Sequence, residues 1–228
     1  MGYPLVLLEI DCGWSPERCQ ARLTSLPALV QQRAERYLAP ASRRNLIATR
    51  SRLGQVLAVL GQDQEQVLVA DNGRPYHSSQ AVQFNLTHSH DRAVLALSRD
   101  PALQEGLGVD LEWTGRPIDV AAIGRRFFTE DEYGWIGSDR SRFFHVWTRK
   151  EAIIKTNGIG LRVALDSFDV MGPLVSDHIT GRPLRLETEL MEGGYTVSWA
   201  VGVPPSQVHR LRDRDPGWKD LLASFLAL

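Results

Sequence analysis

The chain has 228 residues, a formal net charge of −1 and a hydrophobic content of 43%. That length can bury one large core or two small ones. The charge balance gives no drive toward nucleic acid or an acidic membrane, and no apolar run approaches the roughly 18 residues that a membrane helix needs.

The apolar start, Tyr3 to Leu8, meets Glu9 and Asp11 too soon for a signal peptide and reads as a first strand. Cys12 and Cys19 form neither a CxxC motif nor a zinc set, so reduced thiols and a cytoplasmic location are expected. Ser15-Pro16-Glu17 reads as a capped helix start, ending near Pro27. A second helix is expected over Ala28 to Leu38. A third runs from Pro40 to Gly61, with Leu46, Leu53, Leu57 and Leu60 at helical spacing. Strand signals follow at Val67 to Ala70, Val82 to Leu86 and Ala93 to Leu97, with Asp71-Asn72-Gly73 as a turn.

Gly106 to Trp113 reads as a central strand with Leu107, Val109 and Leu111 on one face and Gly108, Asp110 and Glu112 on the other. Helices are expected over Ile118 to Phe127, after the capping box Thr129-x-x-Glu132, and from Asp139 to Asn157. Asn157-Gly158-Ile159-Gly160 reads as a helix stop and turn. Strands over Leu165 to Met171, Arg182 to Leu190 and Tyr195 to Val203 come next, the last two joined at Gly193-Gly194, and Trp218 to Leu228 reads as a terminal helix. The contents are α+β with largely antiparallel sheets, divided into an N-terminal half, residues 1–103, and a C-terminal half, 104–228.

The Asp139 to Asn157 helix holds a compositional oddity. Of 26 basic residues only Lys150, Lys155 and Lys219 are lysines, and two of them flank Glu151 within one short stretch. A compact ammonium is kept where the chain otherwise uses arginine, which suits a site needing a mobile point charge. On its own this could equally be a surface Glu–Lys pair worth about 0.2–0.5 kcal/mol. Asp110 and Glu112 share a strand face, a workable spacing for a hard cation such as Mg²⁺, and Glu151 supplies a third carboxylate. Lys155 could then neutralise charge on a phosphate or a leaving group. Phe84-Asn85-Leu86-Thr87-His88-Ser89 offers hydroxyls and an imidazole at a strand end. Arginines at 33, 36, 43, 44 and 50 lie on the N-terminal helices, where a cluster could bind phosphate. No Walker loop, G-x-G-x-x-G fingerprint or G-x-S-x-G elbow is present.

Gly108-Val109-Asp110-Leu111-Glu112, followed by Trp147-Thr148-Arg149-Lys150-Glu151-Ala152-Ile153-Ile154-Lys155, resembles the two signature motifs of the 4′-phosphopantetheinyl transferases. Asn72-Gly73-Arg74-Pro75, Phe84 to Ser89 and Arg126-Phe127-Phe128 look like further family motifs in the expected order. The length points to the surfactin-synthetase type. The resemblance covers residues 33–170. It implies a single-chain pseudo-dimer of two similar α+β halves that needs no partner subunit to complete its site, hence a monomer. Coenzyme A would bind in the cleft between the halves with Mg²⁺ on its pyrophosphate. The phosphopantetheine arm would pass to a serine of an apo acyl or peptidyl carrier protein of fatty-acid, polyketide or nonribosomal-peptide biosynthesis. No nucleic acid or membrane is implied.

By position, the resemblance makes Asp110, Glu112 and Glu151 the metal ligands, Glu151 also the candidate base, and Lys155 the lysine on the phosphates. Arg44, Thr87 and His88 match residues around the 3′-phosphate of coenzyme A, with Arg74 at a common basic position and Lys150 touching phosphate or carrier. Leu111 stands where some members have a third acid, and Arg43 is an alternative to Arg44. The last 55 or so residues match weakly. Two rival readings use the same acids: a Mg²⁺-dependent phosphohydrolase transferring to water, and a non-catalytic coenzyme A or carrier-binding module.

Overall fold

In the computed structural model residues 3–103, 106–158, 163–177 and 179–227 are described. By contact the chain divides into two compact units. One comprises Met1–Ala70, Pro75–Pro101 and Pro205–Leu228; the other comprises Asp71–Arg74 and Ala102–Pro204.

The first unit contains β1 (Leu5–Asp11), α1 (Pro16–Leu23), α2 (Ala28–Glu35), α3 (Pro40–Val59), β2 (Val67–Val69), β3 (Pro75–His77), β4 (Gln83–Ser89) and β5 (Arg92–Ser98). Ser15 caps α1 by accepting from the Arg18 amide, with proline in the first turn. β2 and β3 form a small antiparallel pair. In the larger sheet β5 lies between β1 and β4, antiparallel to both. Leu8, Ile10 and Leu95 from this sheet share a core with Ile47, Leu53 and Leu57 of α3.

The second unit contains β6 (Leu107–Trp113), α4 (Val120–Phe127), α5 (Glu130–Ile136), α6 (Arg140–Asn157), β7 (Leu174–Ser176), β8 (Pro183–Met191) and β9 (Tyr195–Val201). Its sheet runs β6-β9-β8-β7, with every neighbouring pair antiparallel. The β8–β9 turn uses Gly193 and Gly194 at φ of 82° and 76°, a left-handed region that favours glycine. The anticipated capping box is formed: Thr129 Oγ1 accepts from the Glu132 amide, and Glu132 Oε2 accepts from the Thr129 amide.

Four expectations are corrected. Residues 205–228 belong to the first unit, because β10 (Val208–Arg212) runs parallel to β1, and α7 (Trp218–Phe225) buries Trp218 and Leu222 in the first core. The expected boundary falls beside residues 104 and 105, which lie outside the described set. Leu165–Ser167 is a single 3₁₀ turn, not the start of a strand, and the short β7 supplies that sheet edge instead. β6 is an edge strand of its sheet rather than a central one; its burial comes from α6 packed against it. Finally, α2 stops at Glu35, short of Leu38. The expected turn beyond Gly158 includes Ile159 and Gly160, outside the described residues.

Candidate active site

The site is built on β6 and α6 of the second unit. Asp139 caps α6 by accepting from the Ser141 and Arg142 amides. Gly158 ends it in the left-handed conformation at φ 71°, its N–H returning to the Ile154 carbonyl. Phe143 and Ile154, on one face of the helix at spacings of four and seven from Trp147, are buried in the core, with Trp147 packed partly buried against it. Phe144 and Thr148, four residues apart, open a second stripe along the helix and are buried, Thr148 sharing a 2.7 Å hydrogen bond with Ser198 of β9. Further along that stripe stand Glu151 and Lys155.

What lets the helix reach the strand is Gly108. A β-carbon at this position would lie 2.0 Å from the Ala152 carbonyl oxygen and 2.9 Å from the Thr156 amide nitrogen. The backbones therefore meet at a distance only glycine permits. A glycine inside a strand pattern was the available signal for that approach, and reading its neighbours only for alternation missed it.

This approach brings together four residues that the sequence singles out. Lys155 Nζ donates to Asp110 Oδ1 at 2.6 Å, with side chains 30% and 8% exposed. The Glu151 carboxyl is pushed up to about 7, first by burial, then by the charge of Asp110 and less strongly by Glu112; Lys155 pulls the other way. Glu112 forms an ion pair with Arg116 at 3.2 Å, a partner not anticipated from the sequence. The result is a partly open group of three carboxylates with one ammonium among them. Among the described residues, no three His, Cys, Asp or Glu side chains already stand in an arrangement that would hold a metal. The donor set is nonetheless all carboxylate oxygen, the chemistry a hard cation takes, and the charge that Asp110 and Glu112 place on Glu151, second to its burial, is what such a cation would relieve.

Lys150 is elsewhere, and its expected contact with phosphate or carrier is corrected. It is wholly buried, paired with Glu132 at 2.8 Å, and donates to the Leu165 and Phe168 carbonyls at 2.7 and 2.6 Å. The Phe168 ring lies 4.4 Å from the ammonium. Its neighbour Arg149 is buried too, donating to the Val170 carbonyl and Thr188 Oγ1. Both side chains fasten α6 to the chain around it.

Arg74 is partly buried. Its guanidinium donates to the carbonyls of Lys155, Thr156 and Leu107. Arg44, Thr87 and His88 lie in the first unit. Asn45, next to Arg44, donates to the His90 carbonyl at 3.0 Å, which brings the amino-terminal half of α3 against the end of the β4 hairpin. Thr87 is buried and His88 exposed on that hairpin. Arg43 and Arg44 line a cavity of about 850 Å³ together with Trp14 and Glu17. No helix among the described residues is long and apolar enough to cross a membrane.

Residues 106–200 match the family described as the 4′-phosphopantetheinyl transferase superfamily, a span that contains β6, α6 and all four clustered residues. Relatives include the 4′-phosphopantetheinyl transferase gsp of Aneurinibacillus migulanus, 35% identical over 134 residues, or 53% of each chain. The 4′-phosphopantetheinyl transferase Sfp of Bacillus subtilis is 37% identical over 92 residues, or 38% of each chain. HetI of a Nostoc species, another 4′-phosphopantetheinyl transferase, is 32% identical over 141 residues, 57% of this chain and 58% of the relative. The chain spans about half the length of the curated relatives it matches.

Proposed function

We propose that this chain, whose residues 106–200 match the 4′-phosphopantetheinyl transferase superfamily and which is similar to several 4′-phosphopantetheinyl transferases, transfers the 4′-phosphopantetheine arm of coenzyme A to a serine of an apo carrier protein. The serine oxygen forms a bond to the phosphorus that bears pantetheine. The bond from that phosphorus to the oxygen of the adenosine side breaks, and adenosine 3′,5′-bisphosphate leaves.

The observation that carries this reading is the Lys155–Asp110 pair among the carboxylates Glu151 and Glu112, partly open to solvent on the Lys155 side and inside the matched span. Phosphoryl-type transfer asks the protein mainly for positioning and charge neutralisation. Asp110, Glu112 and Glu151 are the residues that would hold Mg²⁺, which when bound supplies charge neutralisation at the phosphates. Glu151 accepts the proton of the attacking serine. Lys155 places its ammonium on the phosphate that departs. Arg44, Thr87 and His88 take the 3′-phosphate of coenzyme A, on the support of their positions in the family motifs. A monomer in the cytoplasm goes with this reading, as do the two buried free thiols, Cys12 and Cys19.

The test is the mass of several apo carrier proteins after incubation with the chain, coenzyme A and Mg²⁺. One phosphopantetheine group is expected on at least one carrier, with Glu151→Gln slower by on the order of 10²-fold. No adduct on any carrier would sink the proposal. Phosphate released without a carrier would point to hydrolysis.

A further inference from the structure

We infer that Arg74 is a positioning residue that locks the last turn of α6 to the start of β6, and so fixes Lys155 against Asp110. This rests on the proposed transfer for its catalytic consequence, and on geometry alone for the lock. Nη1 donates to the Lys155 and Thr156 carbonyls, at 3.3 and 2.5 Å, and Nη2 donates to the Leu107 carbonyl at 3.1 Å. One rigid, planar group thus spans the helix that carries Glu151 and Lys155 and the strand that carries Asp110 and Glu112. The helix carbonyls it meets belong to the last turn, where a helix runs out of its own N–H donors.

The segment holding Arg74 is itself fixed. The Arg74 amide donates to Asn72 Oδ1 at 3.0 Å, with Gly73 at φ 84°. The Asn72 side chain lies flat on Gly158, where a β-carbon would come 2.2 Å from Nδ2. Residues 71–74 accordingly belong by contact to the second unit, although the chain on either side of them belongs to the first. Asp177 grips the same helix end by a second route, accepting from Thr156 Oγ1 and Asn157 Nδ2 at 3.3 and 3.2 Å. Asp177 meets the side chains of Thr156 and Asn157 there, whereas Arg74 meets backbone carbonyls of that turn and of β6.

The lock makes a different demand from a phosphate contact. A phosphate can be met by a lysine, which offers a point charge. A lysine has a single donor atom and cannot set two nitrogens on two elements at once, as Arg74 sets Nη1 on α6 and Nη2 on β6. Arg74→Lys should therefore behave like Arg74→Met.

The experiment compares both variants, with Asn72→Ala as a milder third, in two readouts. Hydrogen exchange is measured on the apo protein, without coenzyme A or Mg²⁺. Amides of 152–158 and of the first residues of β6 should exchange faster by about tenfold in both arginine variants, and by less in Asn72→Ala. In the carrier assay, kcat should fall by up to about 10²-fold in both, with KM for coenzyme A nearly unchanged. Unchanged exchange would overturn the lock. So would a lysine variant like the parent beside a methionine variant with raised KM, the pattern of a phosphate ligand. Faster exchange with undiminished kcat would overturn the positioning role. A parent chain that modifies no carrier would remove the transferase reading, and the exchange arm would still decide whether Arg74 holds the helix end.

Discussion

Two lysines lie five residues apart on α6, each paired to a carboxylate, and the structure treats them in opposite ways. Lys150 and Glu132 are both wholly buried. The ammonium meets two carbonyls and a ring face besides its partner. Glu132 serves three donors, accepting also from the Thr129 and Val170 amides. Burial pulls Lys150 below its ordinary value and the Glu132 hydrogen bond and charge oppose this. Lys155 and Asp110 instead stand at a partly open edge beside two more carboxylates. The first pair is complete and can only hold the fold. The second sits amid excess negative charge and can accept a cation or exchange its partner for a phosphate.

The contrast breaks most visibly in stability. Lys150→Met leaves a buried Glu132 unpaired and should cost about 3–5 kcal/mol in urea unfolding. Adding Glu132→Gln should return part of that loss. A Lys150→Met protein as stable as its parent would mean the buried pair is not structural.

Next comes the approach that makes the open pair possible. Gly108→Ala would place a methyl 2.0 Å from the Ala152 carbonyl oxygen. Backbone must move, at a cost of about 1–3 kcal/mol, and transfer should fall although no group of the cluster is altered. A variant with parental stability and rate would show that β6 and α6 have room to spare.

The smallest effect sharpens the comparison from the far turn of the same helix. His145 is held down to about 4 by burial and then by the charge of Arg149. Between its ordinary value of 6.5 and 4 the unfolded chain binds a proton there that the native chain does not. This contribution to stability is therefore intact above 6.5 and lost as pH falls toward 4. Unfolding midpoints measured from pH 7 to pH 4 should show a decline that His145→Gln lessens; an equal decline in both proteins would assign it to other groups.

The elements that carry the chemistry were legible because their signals are local. A period-two pattern marked β6, helical spacing marked α6, and Thr129-x-x-Glu132 announced its own capping box. What escaped depends on distant partners. Val208 to Arg212 has little alternation, and its partner β1 is some 200 residues away in sequence, so no local reading could pair them. The Leu165–Ser167 turn was misread because Leu165, with Phe168 and Val170 just beyond the turn, fills the core of the second unit without a ladder. Lys150 and Lys155 looked equally available in sequence. Only packing shows that one is sealed by residues from 132, 165 and 168 and the other is left on an edge. Arg74 could be matched by position, but nothing in Asn72-Gly73-Arg74-Pro75 reveals the carbonyls it meets in β6 and α6.

The most direct test of the account is Lys155→Met, assayed by single-turnover transfer of phosphopantetheine to an apo carrier alongside urea unfolding of the same sample. Lys155 is 30% exposed although Asp110 is only 8% exposed, so losing the ammonium should cost less than losing the wholly buried Lys150, and the protein should remain folded with a lowered unfolding midpoint. The transfer rate should drop by at least about 10²-fold, the scale for a group that neutralises charge in the transition state. A rate within about threefold of the parent in a folded Lys155→Met protein would contradict the assignment of the open pair to the chemistry.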